Sequence, residues 1–256
     1  MARFQVGVQL EPQHCSIDDL RRAWREADDL AVDSIWIWDH FFPLWGGDPD
    51  GSHFEGWSLL AAMACETSRA TIGVLVTGSS YRNPDLVADM ARTVDHLSGG
   101  RVILGIGAGW CERDYREYGY EFGTAGDRLR ALDSNLARVQ ARLARLNPPP
   151  MGRLPVMIGG EGEKVTLRLA ARHADMWNGF GPPENFARKN QILTTWCVCV
   201  GRDPATIQRT VLLNQPGDAD RLEEFLEAGA QHLIVPCGAP FDLGPAKRLL
   251  EAGTQA

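Results

Sequence analysis

The sequence predicts an α/β fold: a single (β/α)8 barrel, with residues 1–256 forming one domain. Three observations lead there. The chain has 256 residues, close to the roughly 250 of one complete barrel. Strand-like and helix-like segments alternate almost without interruption, which favours a closed parallel sheet over an open doubly wound one. Residues able to do chemistry appear where strands stop, the end at which barrel enzymes place their working groups.

The elements follow in order. Phe4 to Leu10 reads as the first strand and ends at Glu11-Pro12. Ser16 is a good N-cap for an amphipathic helix from Ile17 to Ala31, with Leu20, Trp24 and Ala27 on one stripe. Ser34 to Asp39 is the second strand, apolar enough to be buried on both faces. A loop rich in Gly, Pro and Asp leads to a helix from Trp57 to Thr67, and Thr71 to Thr77 is the third strand. Pro84 starts a helix to Ser98, which Gly99-Gly100 closes.

Val102 to Ile106 is the fourth strand, followed by a long loop to about Phe122 and a helix from Asp127 to Leu146. Val156 to Ile158 is the fifth strand, with a helix from Glu163 to Ala171 behind it. Strands six and seven, Met176 to Asn178 and Thr210 to Leu213, are the weakest signals; Glu184 to Val200 is the helix between them. Asp218 to Ala228, His232 to Val235 and Pro245 to Ala252 complete the set as helix, strand and helix. Asn147-Pro148-Pro149-Pro150 is short enough to be an interior loop, so no linker divides the chain.

A formal charge of −7 argues against a nucleic-acid partner or an anionic membrane surface. No apolar run approaches the length of a bilayer span, and Met1-Ala2-Arg3-Phe4 does not open a signal peptide. A cytoplasmic protein is expected. The six cysteines show neither C-x-x-C spacing nor a zinc pattern, so no metal site is expected.

Candidate site residues lie in the loops after strands one to five. Asp39 and His40 emerge at the end of strand two, and a buried imidazole can serve in acid–base chemistry. A lone His there can equally be a hydrogen-bonded core group. Gly107-Ala108-Gly109-Trp110 follows strand four, where glycines permit close approach or positive φ. Gly159-Gly160-Glu161-Gly162-Glu163-Lys164 runs into a helix and can offer backbone N–H groups to a phosphate. A tight βα turn explains the same glycines as well. A metal hydrolase using His40, Asp39, His53 and His96 is the rival from another class, disfavoured because no H-x-H ends a strand.

Several strings then coincide. Asp39-His40-Phe41, Tyr81-Arg82-Asn83-Pro84, Val94 to Arg101, Gly105 to Trp110 with Tyr118 to Phe122, and Ile158-Gly159-Gly160 with Leu167 to Arg172 resemble the luciferase-like flavin or deazaflavin barrel superfamily. The likeness runs from residue 4 to about residue 215, and is strongest to the branch using the deazaflavin coenzyme F420. It implies an F420-dependent oxidoreductase moving a hydride between the cofactor and a small organic substrate. FMN is the alternative cofactor, in a monooxygenase or reductase, and a non-catalytic F420 carrier is a further one. It also implies a bulge near Val74-Leu75 with a non-prolyl cis peptide under the ring and Thr77 close by. Asp39 and His40 match ring-contacting positions, with His40 and Asp39 as the catalytic candidates. Gly107, Ala108, Gly109 and Trp110 match the loop beneath the ring, and Gly159, Gly160, Glu161, Gly162 and Glu163 the phosphate turn. Two departures stand out. Trp110 replaces an acid of the sugar-phosphate dehydrogenases, so glucose 6-phosphate is not expected as substrate. The segment 127–155 is short, leaving the pocket open or to be completed by a second subunit of a homodimer.

Overall fold

The computed structural model describes residues 4–254. The reading of the first three residues, including the absence of a signal peptide, lies outside them. Parallel strands close into a barrel: β1 (Gln5–Leu10), β2 (Ser34–Ile37), β3 (Thr71–Val74), β4 (Thr77–Gly78), β5 (Val102–Gly107), β6 (Val156–Gly159), β7 (Met176–Phe180), β8 (Gln208–Leu212) and β9 (His232–Cys237). Their order is β3-β2-β1-β9-β8-β7-β6-β5-β4, and a β3–β5 pairing closes the ring. β3 and β4 are two halves of one barrel strand, so the architecture is the expected (β/α)8 barrel with its third strand interrupted.

The interruption is where a bulge is implied, one residue further on. Leu75–Val76 is a non-prolyl cis peptide. Before it, β3 pairs with β2 and with the start of β5; after it, β4 pairs with Ile106 and Gly107 of β5. Leu75 N–H still donates to Ile37 O at 2.8 Å, and the Leu75 carbonyl accepts from Gln9 Nε2 at 2.8 Å.

Strand periodicity sorts the core into two layers. Ile35 and Ile37 face outward into the large apolar layer beneath the helices, whereas Trp36 faces the barrel interior with Leu75, Ile103, Met157, Met176 and Ile234. Glycine makes room for that indole: a Cβ at Gly73 would lie 2.6 Å from Trp36. Below it, Trp36 Nε1 donates to Ser34 Oγ at 2.6 Å, and Ser34 Oγ lies 2.8 Å from His232 Nε2.

The helices largely follow the sequence pattern. α1 (Ile17–Asp29) starts on a Ser16–Asp19 capping box, and α2 is Gly56–Glu66. α3 (Pro84–Ser98) has Pro at its first position and ends on Gly99 in the left-handed region. Most helix ends differ from expectation by one to three residues, and three departures matter. The loop after β5 contains a short helix, α4 (Glu112–Tyr118), before α5 (Ala125–Leu143). α6 (Thr166–His173) begins three residues late, because Glu163 and Lys164 belong to the turn. Beyond α7 (Pro183–Cys199), the segment read as one helix over 218–228 is a 3-10 turn, Asp218–Asp220, followed by α8 (Leu222–Glu227). α9 (Gly244–Thr254) closes on β1. No helix among the described residues is long and apolar enough to cross a membrane.

Candidate functional site

A cavity of about 270 Å³ opens at the carboxyl ends of the strands. That is near the lower end of small-molecule pockets, roughly 300–1,000 Å³. Its floor is the broken strand, with Leu75, Val76 and Thr77 lining it. Gly107 and Gly159 flank Val76 so closely that added Cβ atoms would stand 2.8 and 2.9 Å from its methyls. The glycines expected to let a ligand approach therefore first let the bulge itself sit in the barrel mouth. Gly109, at φ +81°, needs the left-handed conformation. Gly107, Ala108, Gly109, Trp110, Gly159 and Gly160 all line the cavity.

His40 also lines it. Its Nδ1 lies 2.6 Å from a carboxylate oxygen of Asp114, a residue of α4 with no exposed side-chain surface. The same carboxylate accepts from Tyr81 Oη at 2.8 Å and from the backbone N–H of Phe41 at 3.1 Å. Burial disfavours the imidazolium, but Asp114 and the neighbouring Cys111 outweigh it and push the His40 pKa up to about 9. His40 therefore carries a proton at neutral pH. Burial and the adjoining carboxylate push the Tyr81 phenol up as well, so it stays a donor. His53 is the opposite case: burial and the His40 charge hold it down to about 4, and its neutral Nε2 accepts from Trp38 Nε1 at 2.9 Å.

Asp39 does not polarise His40 and does not line the cavity. Side chains of adjacent strand-end residues diverge, and the buried Asp39 carboxylate is gripped by Arg82 through two bonds of 2.6 and 2.9 Å. Arg82 also binds Glu55, the N-cap residue of α2, at 2.7 Å. Burial works against the Arg82 charge, and the two carboxylates more than restore it. Asp39 reaches the site only through Thr77, whose hydroxyl donates to it while accepting from Trp57 Nε1 at 3.1 Å.

The remaining expected residues divide. Val74 points into the outer core rather than the cavity. Glu161, Gly162 and Glu163 do not line it either. Glu161 turns towards α7, accepting from Phe180 N–H at 3.0 Å and Asn185 Nδ2 at 3.2 Å, and Glu163 pairs with Lys189 at 2.8 Å. Thr166, the first residue of α6, takes their place in the lining, and that helix has no side-chain cap among the described residues. The proposed hydrolase set does not converge: His96 bonds Pro149 O at 2.8 Å from the surface of α3. Among the described residues only His40, Cys111 and Asp114 bring potential ligand atoms together. Their 2.6 Å His–Asp contact is a hydrogen bond, shorter than the roughly 3.3 Å that tetrahedral zinc imposes between two ligands.

Sequence reasoning missed Asp114, Gln9, Asn178 and Thr166. Asp114 sits in a seven-residue helix too short to show periodicity, and the others are polar residues on strands or at a helix start.

A parallel barrel that places an imidazolium over a bulged third strand is a ligand-binding barrel of the enzyme type. The chain belongs to the luciferase-like monooxygenase family, whose model matches residues 1–214. It is 33% identical over 247 residues to a phthiodiolone/phenolphthiodiolone dimycocerosates ketoreductase of Mycobacterium sp. (strain JLS), covering 81% of this chain and 64% of that protein. The chain thus spans less than two thirds of that relative. Among solved structures it matches an F420-dependent secondary alcohol dehydrogenase in complex with an F420-acetone adduct, with a TM-score of 0.84 at 16% identity over 98% of this chain and 99% of the other. It also matches the oxygenating constituent of 3,6-diketocamphane monooxygenase of Pseudomonas putida with FMN, at TM-score 0.65 and 18% identity over 83% and 67% of the two chains. At such identities these two likenesses speak to the fold.

Proposed function

We propose that the protein is an F420-dependent oxidoreductase that interconverts a carbonyl compound and the corresponding secondary alcohol. The observation that carries this is the His40–Asp114 pair, a proton held at the rim of a cavity whose lining has no Asp, Glu, Lys or Arg. The residues suit a flat ring with an anionic tail. The Leu75–Val76 shelf is fixed from beneath by Gln9, and the uncapped start of α6 beside Gly160 offers N–H groups to a phosphate. The ketoreductase and alcohol dehydrogenase relatives are consistent with the reaction class.

When bound, the deazaflavin would supply hydride chemistry at its C5. The chain's part is the proton. As an imidazolium, His40 can donate to a carbonyl oxygen and neutralise the developing alkoxide. In the oxidising direction it must first lose its proton, which its pKa of about 9 delays to alkaline pH. Tyr81 and the Phe41 N–H hold Asp114 in place, and Asp114 fixes which imidazole nitrogen faces the carboxylate. Asp39 serves as a positioning group, setting Thr77 through the Arg82 clamp.

Binding of FMN, by a monooxygenase-type member, is the second reading, favoured by the fold's likeness to an FMN enzyme. Titration with F420 and separately with FMN, followed by tryptophan fluorescence, decides between them, because the half-exposed Trp110 lines the cavity. Micromolar binding of F420 without FMN is expected; the reverse assigns the protein to the flavin enzymes. His40→Ala should remove most turnover, on the order of 10²-fold or more, with cofactor affinity little changed. A variant retaining full kcat would end the role given to His40.

A further inference from the structure

The mouth of the cavity bears on what kind of molecule can bring a carbonyl to His40. Trp45 and Trp110 are 59% and 57% exposed, and their rings lie 6.0 Å apart and 12° from parallel. Exposing two stacked indoles to water costs apolar area unless something covers them. They continue inward without a break. Trp110 meets His40 edge-on at 5.4 Å, and Trp38 meets His40 at 6.1 Å and Trp45 at 6.3 Å. On the other side Phe41 stacks on Tyr118 at 4.1 Å, extending the aromatic rim.

Charge is equally informative. Among the described residues the lining contains no Asp, Glu, Lys or Arg, and His40 is its sole charged side chain. Arg113, which reaches this rim, lies 4.1 Å over the Phe42 ring and is tied to Asp50 and to Pro49 O. An anionic substrate would find no free side-chain cation in that lining beyond the imidazolium already committed to Asp114. A cationic one would be drawn to indole faces but would find no carboxylate in the lining to pair with. What remains is a neutral molecule with a flat apolar body.

We propose that Trp45 and Trp110 form a shelf selecting an uncharged, aromatic or conjugated ketone (or its alcohol), with the carbonyl turned towards His40. This rests on the assignment of the cavity as a carbonyl–alcohol site, but not on which cofactor fills it. The shelf is a specificity determinant: it should govern substrate binding and leave the proton chemistry to His40.

Calorimetric binding of 2-acetylnaphthalene and of its 6-carboxylate to the purified protein tests this, with and without F420. The neutral ketone should bind at least tenfold more tightly than the carboxylate. Trp110→Ala and Trp45→Ala should each weaken it about tenfold, and Trp110→Phe should restore most of the loss. Both residues are half-exposed, so these variants should fold, and unchanged thermal melting verifies it. Equal or tighter binding of the carboxylate overturns the proposal. So does indifference of the ketone to both truncations, or no binding of either probe. If F420 fails to bind while the Trp110-dependent preference persists, the cofactor assignment falls and the shelf stands. If F420 binds and the preference is absent, the shelf falls alone.

Discussion

Burying an imidazole disfavours its cation, yet His40 is held charged because Asp114, a better-buried carboxylate, faces its Nδ1 at 2.6 Å. Asp114→Asn removes the opposing charge and leaves the burial. The His40 pKa should then fall from about 9 to or below its ordinary value of 6.5. In a kcat profile for carbonyl reduction, the alkaline limb should move down by roughly two pH units or more, with turnover at pH 8 reduced roughly 30-fold or more. A simple packing defect would lower the whole curve without moving the limb, so the profile separates the two. Tyr81→Phe removes one donor from Asp114 while keeping the ring; it should shift the limb by a smaller amount in the direction opposite to Asp114→Asn, because an undersatisfied carboxylate pulls harder on the proton.

The third barrel strand explains both what the sequence disclosed and what it hid. Short apolar runs such as Val102 to Ile106, bounded by turn residues and too short for helices, read as buried parallel strands, so the barrel was legible from run length and alternation. His40 and the glycines Gly107, Gly109, Gly159 and Gly160 lie around the cavity at the carboxyl ends of the strands, where the strand-end reading put them. Which neighbours meet across strands is not written in local pattern, however. Asp39 looks like the partner of His40 in one dimension, but in three dimensions it faces Arg82, 43 residues away, while Asp114 arrives from 74 residues downstream. Glu161 and Glu163 adjoin the turn glycines yet swing to α7, since cations and amides there satisfy them. The bulge makes its own prediction. Gly107→Ala would place a Cβ 2.8 Å from the Val76 methyl, forcing the shelf to shift. Overpacking of this kind costs about 1–3 kcal/mol. Chemical denaturation should show that loss, accompanied by at least tenfold weaker cofactor binding. Gly126→Ala, in the first turn of α5, has only flexible side-chain ends near it, at 3.4 Å or more, and should leave cofactor binding unchanged.

Across the whole molecule, the buried His232 and the partly buried His53 and His40 make stability depend on pH in opposite senses. His232, fully enclosed, is held down to about 4 by burial. Its environment shows why: Nε2 meets the Ser34 hydroxyl, which also accepts from Trp36, and Nδ1 has no partner among the described residues, so nothing there stabilises a second ring proton. His53 is depressed in the same direction. For both, the unfolded chain takes up a proton near pH 6.5 that the folded chain refuses, so their contribution is complete above 6.5 and is lost as pH falls towards 4. His40 has the reverse sign. Its folded pKa is raised, so its contribution is complete below 6.5 and is lost as pH rises through about 9. A tenfold difference in proton affinity between folded and unfolded chains is worth about 1.4 kcal/mol, so His232 and His40 each contribute on the order of 3 kcal/mol to their own limb. The histidine contribution to unfolding free energy therefore peaks near pH 6.5 and declines on both sides. Urea unfolding at intervals from about pH 4.5 to about pH 9.5 should trace this dome. His232→Gln keeps a hydrogen-bonding partner for Ser34 and removes the titration, so it should flatten the acid limb by up to about one proton and leave the alkaline limb alone; Asp114→Asn should do the converse. An acid limb equally steep in His232→Gln would mean that the buried ring is not what couples protons to folding.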